Sequence, residues 1–203
     1  MFASANSDLF ADVQSQFTLE RKDFNAPAIG IDLDFVVSPR ASVLVGFDFS
    51  KATKNSEYRD FVDNDRLPIT QATSLREMIF SGSVKYALTP RGREVSSRAW
   101  IPSAVTPYVG AGAGLMRYQF LQYGDFIDFN DFSVRADTNR SDGWAPTAHL
   151  FGGLDVKVLK RLYVSAEGRY LWARTELDTN VYQGFEPIDL AGFKVTGGVH
   201  YLF

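Results

Sequence analysis

The residues best equipped for chemistry in this 203-residue chain are few. His149 and His200 are the only histidines. Ser165 and Glu167 follow on the next segment, and with His149 they would complete a Ser/His/acid set for acyl transfer. Acidic residues gather in two stretches, Asp60, Asp63 and Asp65 in one, and Asp125, Asp128, Asn130 and Asp131 in the other. Carboxylates that close suit Ca²⁺, a hard cation that takes oxygen ligands. Neither stretch has the spacing or glycine placement of a calcium loop, so solvated loops are the plainer reading. The absence of Cys excludes a disulfide framework, thiol catalysis and cysteine metal sites. A net charge of −3 gives no basic patch for nucleic acid. No cofactor is expected beyond that weak Ca²⁺ candidate.

The remaining charges fall into a pattern set by the elements that carry them. Read with a period of two, the chain yields strand after strand. From about Phe10 to Glu20, Val13, Phe17 and Leu19 oppose Asp12, Gln14, Gln16 and Glu20. Next, Ile29, Ile31, Leu33, Phe35 and Val37 oppose Asp32 and Asp34. Val43, Val45, Phe47 and Phe49 oppose Gly46 and Asp48, and Met78, Phe80, Val84 and Tyr86 oppose Glu77, Ser83 and Lys85. The stretch Tyr108–Gly114 fits either parity, but beyond it Met116, Tyr118 and Phe120 oppose Arg117 and Gln119. Leu150, Leu154 and Val156 then oppose Thr147, His149, Asp155 and Lys157. Leu162, Val164 and Tyr170 oppose Ser165, Glu167 and Arg169, and Val195, Val199 and Tyr201 oppose Lys194 and His200. Eight strands and no amphipathic helix predict an all-β chain, an eight-stranded antiparallel up-and-down barrel in one domain over residues 1–203, with about 1–8 as a short tail. An even number of antiparallel strands closes without an edge.

Three features predict that the apolar parity faces lipid. The polar parity is rich in small residues (Gly46, Ser50, Ser81, Ser83, Ser165, Gly198), as a crowded interior requires. Aromatics such as Phe10, Tyr86, Tyr108, Tyr170, Trp172 and Tyr201 gather toward strand ends, where interfacial girdles sit. Connections near 38–41 and 159–161 are tight, whereas those near 51–74, 121–146 and 173–190 are long and polar. Short inner turns and long outer loops are the rhythm of outer-membrane barrels. No apolar run reaches the roughly 18–20 residues of a membrane-spanning helix. The first residues carry no leader-like apolar stretch, and the chain is read as a mature form.

The ending Val195-Thr196-Gly197-Gly198-Val199-His200-Tyr201-Leu202-Phe203 resembles the C-terminal sorting signal of outer-membrane barrels, with Val199, Tyr201 and Phe203 at its alternate positions. Pro107–Gly114 is similar to a recurring strand of the small barrels of the outer-membrane protein A, X and W group, and Ala166–Tyr170 to their penultimate strand. The resemblance implies an integral protein of the bacterial outer membrane. Its implied partners are outer-membrane lipid and lipopolysaccharide, and the barrel-assembly machinery, which reads the last strand. Fold does not imply function, so the resemblance is nearly silent on activity.

Eight staves leave an interior filled by their own side chains. Asp32, Asp34, Asp48, Glu77, Lys85, Arg117, Asp155, Lys157, Glu167, Arg169 and Lys194 are therefore expected to form a lumen charge network, paired because an unpaired buried charge is costly. The expected function is a non-enzymatic, monomeric barrel with a plugged polar lumen, structural or adhesive, displaying loops at the cell surface. The alternative is a narrow, porin-like channel for small or hydrophobic solutes, as the W branch would imply. A lipid-modifying outer-membrane enzyme using the Ser/His/acid set is the weaker third.

Overall fold

The computed structural model describes residues 2–3, 8–63, 65–96, 99–128, 131, 133–176 and 187–202. The chain is all-β apart from short helical turns near its start. In order, the elements are β1 (Phe2–Ala3), helix α1 (Asp8–Gln16), a 3-10 turn (Arg21–Phe24), β2 (Ala28–Val36), β3 (Ala41–Val62) and β4 (Pro68–Ala87). There follow β5 (Gly92–Ser96), β6 (Ala99–Pro102), β7 (Val105–Asp128), β8 (Ser133–Lys157), β9 (Leu162–Thr175), β10 (Ile188–Asp189) and β11 (Gly192–Tyr201). Strands β5 and β6 form a hairpin of their own, and β10 adds to the end of β9. The others make one antiparallel up-and-down sheet in the order β1-β11-β9-β8-β7-β4-β3-β2.

Seven of those strands are long. The sheet curls so that its concave face meets itself. Lys194 on β11 reaches Asp48 on β3 across four intervening strands, and Lys85 on β4 reaches Asp155 on β8 at 2.7 Å. Apolar residues cover the other face. Ile29, Ile31, Val45, Val84, Leu115, Leu150, Val195 and Val199 are each at least 53 % exposed, along strands from one edge to the other.

The first expected strand is a correction: of Phe10–Glu20, residues 10–16 lie in α1. Val13 and Phe17 alternate on a strand, but they also stand four apart and therefore share a helical face. Both are buried against the concave face with Leu19 and Phe24, in a cluster with Tyr58, Ile69, Met116, Tyr118 and Phe120. Beyond α1 the chain touches β3, where Phe17 bridges Tyr58 and the Thr18 N–H donates to the Glu57 carbonyl at 2.9 Å.

The parity of β7 is a second correction. Met116, Tyr118 and Phe120 point into the concave face, at most 1 % exposed, so Arg117 and Gln119 stand on the outer face. Hydropathy misreads this strand because the interior at that level is itself apolar, filled by α1 and its neighbours. Tyr108, expected in an outer girdle, shares the inward parity and is buried.

The long connections differ as well. Residues 51–74 are mostly paired strand: β3 and β4 run side by side from Ala41↔Tyr86 to Glu57↔Thr70. A turn follows, in which the Asp63 carboxylate accepts the Asp65 and Leu67 amides and Arg66 takes a positive φ of 62°. Strands β7 and β8 stay paired up to Asp128↔Ser133. At 24 and 25 residues they are about 80 Å long at roughly 3.3 Å per residue. At the opposite end two links are tight, where the Val37 and Ser38 amides donate to the Ala41 carbonyl and Val158 N–H donates to the Leu162 carbonyl, while the link from β4 to β7 carries the β5–β6 hairpin.

Candidate functional site

The polar groups of the concave face gather at the end nearer the tight turns. Their positions follow from register: antiparallel pairing puts Asp48 opposite Gly30 and Ile79, and Lys194 opposite Arg169, while curling brings the two groups together. Asp48 is the hub, accepting from Lys194 Nζ and, at 3.5 Å, from Arg169 Nη1. Arg169 is also held by Glu167 at 2.9 Å, and Glu167 accepts the Tyr108 hydroxyl at 3.1 Å. A second group centres on Lys85. Its ammonium meets Asp155 at 2.7 Å and Asp34 at 3.7 Å, and lies 3.9 Å from the centre of the Tyr108 ring. Cations over an aromatic face gain further attraction when desolvated.

Of the expected network, the structure joins Asp34, Asp48, Lys85, Asp155, Glu167, Arg169 and Lys194 into these two groups. Glu77 is buried beside them and accepts the Ser50 hydroxyl at 2.9 Å. Asp32 lies over Gly46, where an added Cβ would strike its carboxylate oxygen, and it makes no ion pair among the described residues. Lys157 shares the inward parity near the strand end. Arg117 does not belong: on the outer face it pairs with Asp142 at 2.6 Å and lies over the Trp144 ring. Asp142, which also holds Arg140, was missed by sequence reasoning. The signal was present in Arg140 and Asp142 at an i,i+2 spacing, which puts both on one face of a strand.

The Ser/His/acid set is not assembled. His149 meets Ser83 at 2.8 Å, and His200 meets Ser165 at 2.7 Å. Glu167 is engaged with Arg169 and Tyr108 instead. Gly112 explains the first pair, since a Cβ there would lie 2.3 Å from Ser83 Oγ and 2.5 Å from His149 Nε2. Two Ser–His contacts without a carboxylate on either ring lack the third group that orients a catalytic base.

Part of each acidic stretch is likewise drawn to protein partners. Asp131 accepts from the Ser133 hydroxyl and amide and from Arg135, with Ser133 holding its carboxyl below the usual carboxylate range. Asp128 lies 3.9 Å from Arg135. Asp63 serves the turn, and Asp60 and Asp65 converge on no shared point with it. Among the described residues no three His, Cys, Asp or Glu side chains form a metal-sized group; Asn130 lies outside the described residues. At the C-terminus Val199 and Tyr201 are exposed on the outer face of β11, and Phe203 lies outside the described residues. Comparison with known proteins finds no matching family model, no matching curated protein and no matching solved structure.

Proposed function

We propose that this chain is an integral, non-enzymatic protein of the bacterial outer membrane, an eight-stranded β-barrel of the A, X and W-like group, with β1 as the short eighth strand, that holds paired strands and loops at the cell surface. One observation carries the reading: the side-chain layers are inverted relative to a protein in water. The convex face presents Val, Ile, Leu and Phe from edge to edge, while ion pairs and histidines lie inside. A monomer in water rarely exposes an apolar patch beyond a few hundred Å², whereas a bilayer requires such a band. Spanning the hydrocarbon takes about 9–11 tilted residues per strand. At 24 and 25 residues, β7 and β8 are each more than twice that length, so their loop ends stand well clear of lipid. In this reading the exposed outer parity of β11 contacts outer-membrane lipid and lipopolysaccharide and serves the assembly machinery.

A second reading, passage of a small hydrophobic solute, would have to widen the recess lined by Phe24, Ala26, Ala52, Leu75 and Leu190, with Glu77 and Ser50 at its polar side, whose volume of about 10 Å³ suits a single water.

Because the chain has no cysteine, single introduced thiols report on sidedness. In intact cells exporting the protein, Asp65→Cys should react with a membrane-impermeant maleimide, and Arg40→Cys should react only after lysis. Equal labelling of both, or the reverse order, would sink the surface-display reading.

A further inference from the structure

The two edges of the main sheet point the same way. From β2 to β11 the path crosses six antiparallel pairings in succession, β2-β3, β3-β4, β4-β7, β7-β8, β8-β9 and β9-β11. An even number of reversals leaves β2 and β11 parallel, so direct closure would force a parallel ladder into an antiparallel sheet. They do not pair with each other. One strand running the opposite way would pair antiparallel with both.

Three further observations locate such a strand. First, β1 already occupies the far edge of β11: Phe2 is opposite Phe193 and Ala3 opposite Gly192, antiparallel, at the loop end of the slot. Second, both parities of β2 are exposed after Ala28, although its inward parity should be covered, and on β11 the inward Thr196 is also exposed. Third, Asp32 faces inward on the β2 edge with no ion pair among the described residues, the cations that act on it, Arg169 and Lys194, being held by Asp48 and Glu167.

We propose that the slot between β2 and β11 receives one extended polypeptide strand, collinear with β1 on its N-terminal side, apolar at its outward positions and small or basic at its inward ones. Main-chain hydrogen bonds to both edges would supply most of the binding, as in strand addition generally, and a cation opposite Asp32 would add selectivity. The inference rests on sheet topology, the exposure of the two edges and the position of Asp32, and stands apart from the membrane reading.

The probe is a synthetic peptide matching the nine residues of β2 in length, with Val at alternate positions and Lys or Thr between them. Added to the full chain refolded in detergent micelles, it should slow amide hydrogen exchange about tenfold or more along both β2 and β11, at one peptide per chain. Asp32→Lys should weaken the lysine peptide roughly two- to fivefold and favour a glutamate-for-lysine version. Protection of one edge only, no protection, or a peptide-independent dimer that covers both edges would overturn the proposal. So would equal binding of the lysine and glutamate peptides to both forms of the chain. If the chain stays out of micelles, the same measurement in water decides. Protection of both edges there would uphold the slot and count against the membrane reading.

Discussion

Asp48 is the residue on which the interior charge depends most. It is the shared acceptor of two cations, and its carboxylate is 16 % exposed. Asp48→Asn would leave Arg169 and Lys194 facing each other with Glu167 as their nearest counter-charge, and should cost roughly 2–4 kcal/mol in urea unfolding from micelles. Glu77 gives the contrasting case. Its hydrogen bond comes from the Ser50 hydroxyl, and an amide can accept the same bond. Glu77→Gln should therefore change stability by less than about 1 kcal/mol; a loss as large as that of Asp48→Asn would show that Glu77 holds a charge the geometry does not assign to it. Most of these charges were legible from alternation, since inward parity and balance of sign predict pairing. Which acid meets which base was not, because it depends on curling that joins β3 to β11. The glycine run from Gly110 to Gly114 resisted reading for a related reason. Gly112 is small to let Ser83 and His149 meet, and a single sequence does not show what presses on a glycine.

At the scale of elements, the strands were legible where the interior is polar, and their parity misled where the interior is itself apolar. Met116, Tyr118 and Phe120 on β7 show the difficulty: their hydrophobicity is spent on an internal cluster with α1, and the outward Arg117 is accommodated by Asp142 and Trp144. The same cluster explains α1 itself. A strand at residues 10–20 and a helix offer nearly the same apolar residues, and the unfilled upper interior decides for the helix. Phe17 is its anchor, 4 % exposed with its ring centroid 4.4 Å from that of Tyr58. Phe17→Ala should cost roughly 3–5 kcal/mol if the cluster does not collapse around the gap, and amide exchange at Thr18 and Glu57 should accelerate together. Unchanged exchange at both amides would mean that α1 is not docked. Strand orientation has its own test. Val45 is 53 % exposed near the middle of the β2–β3 ladder, opposite Leu33, so on the proposed membrane reading Val45→Arg should cost roughly 2–4 kcal/mol in lipid if it lies at the bilayer midplane. Ser83→Ala on the inward parity loses one hydrogen bond to His149 and should cost about 1 kcal/mol. A larger loss from Ser83→Ala than from Val45→Arg would turn the sheet inside out.

Across the whole molecule, the interior is obstructed at two levels. Near the tight turns the Lys85 and Asp48 groups draw side chains from β2, β3, β4, β8, β9 and β11 toward one another. Nearer the loop end α1, Leu19 and Phe24 fill the concave face with apolar side chains. These obstructions differ in kind, and an ion meets both in series. Charges can rearrange around a passing ion, but an apolar plug offers it no ligands, and removing an ion from water without replacement contacts is costly. The reconstituted protein should therefore show no steady conductance in planar bilayers. Lys85→Ala or Glu167→Ala alone should leave the recording silent, because the apolar level remains. Combining Lys85→Ala with Phe17→Ser and Phe24→Ser should admit a leak, since water could then enter both levels. Reproducible single-channel steps from the unaltered chain, with a size or ion selectivity that shifts on Glu167→Ala, would refute the closed interior and make transport the function. Silence from the triple variant would locate the obstruction elsewhere and remove α1 from the account of why the interior is shut.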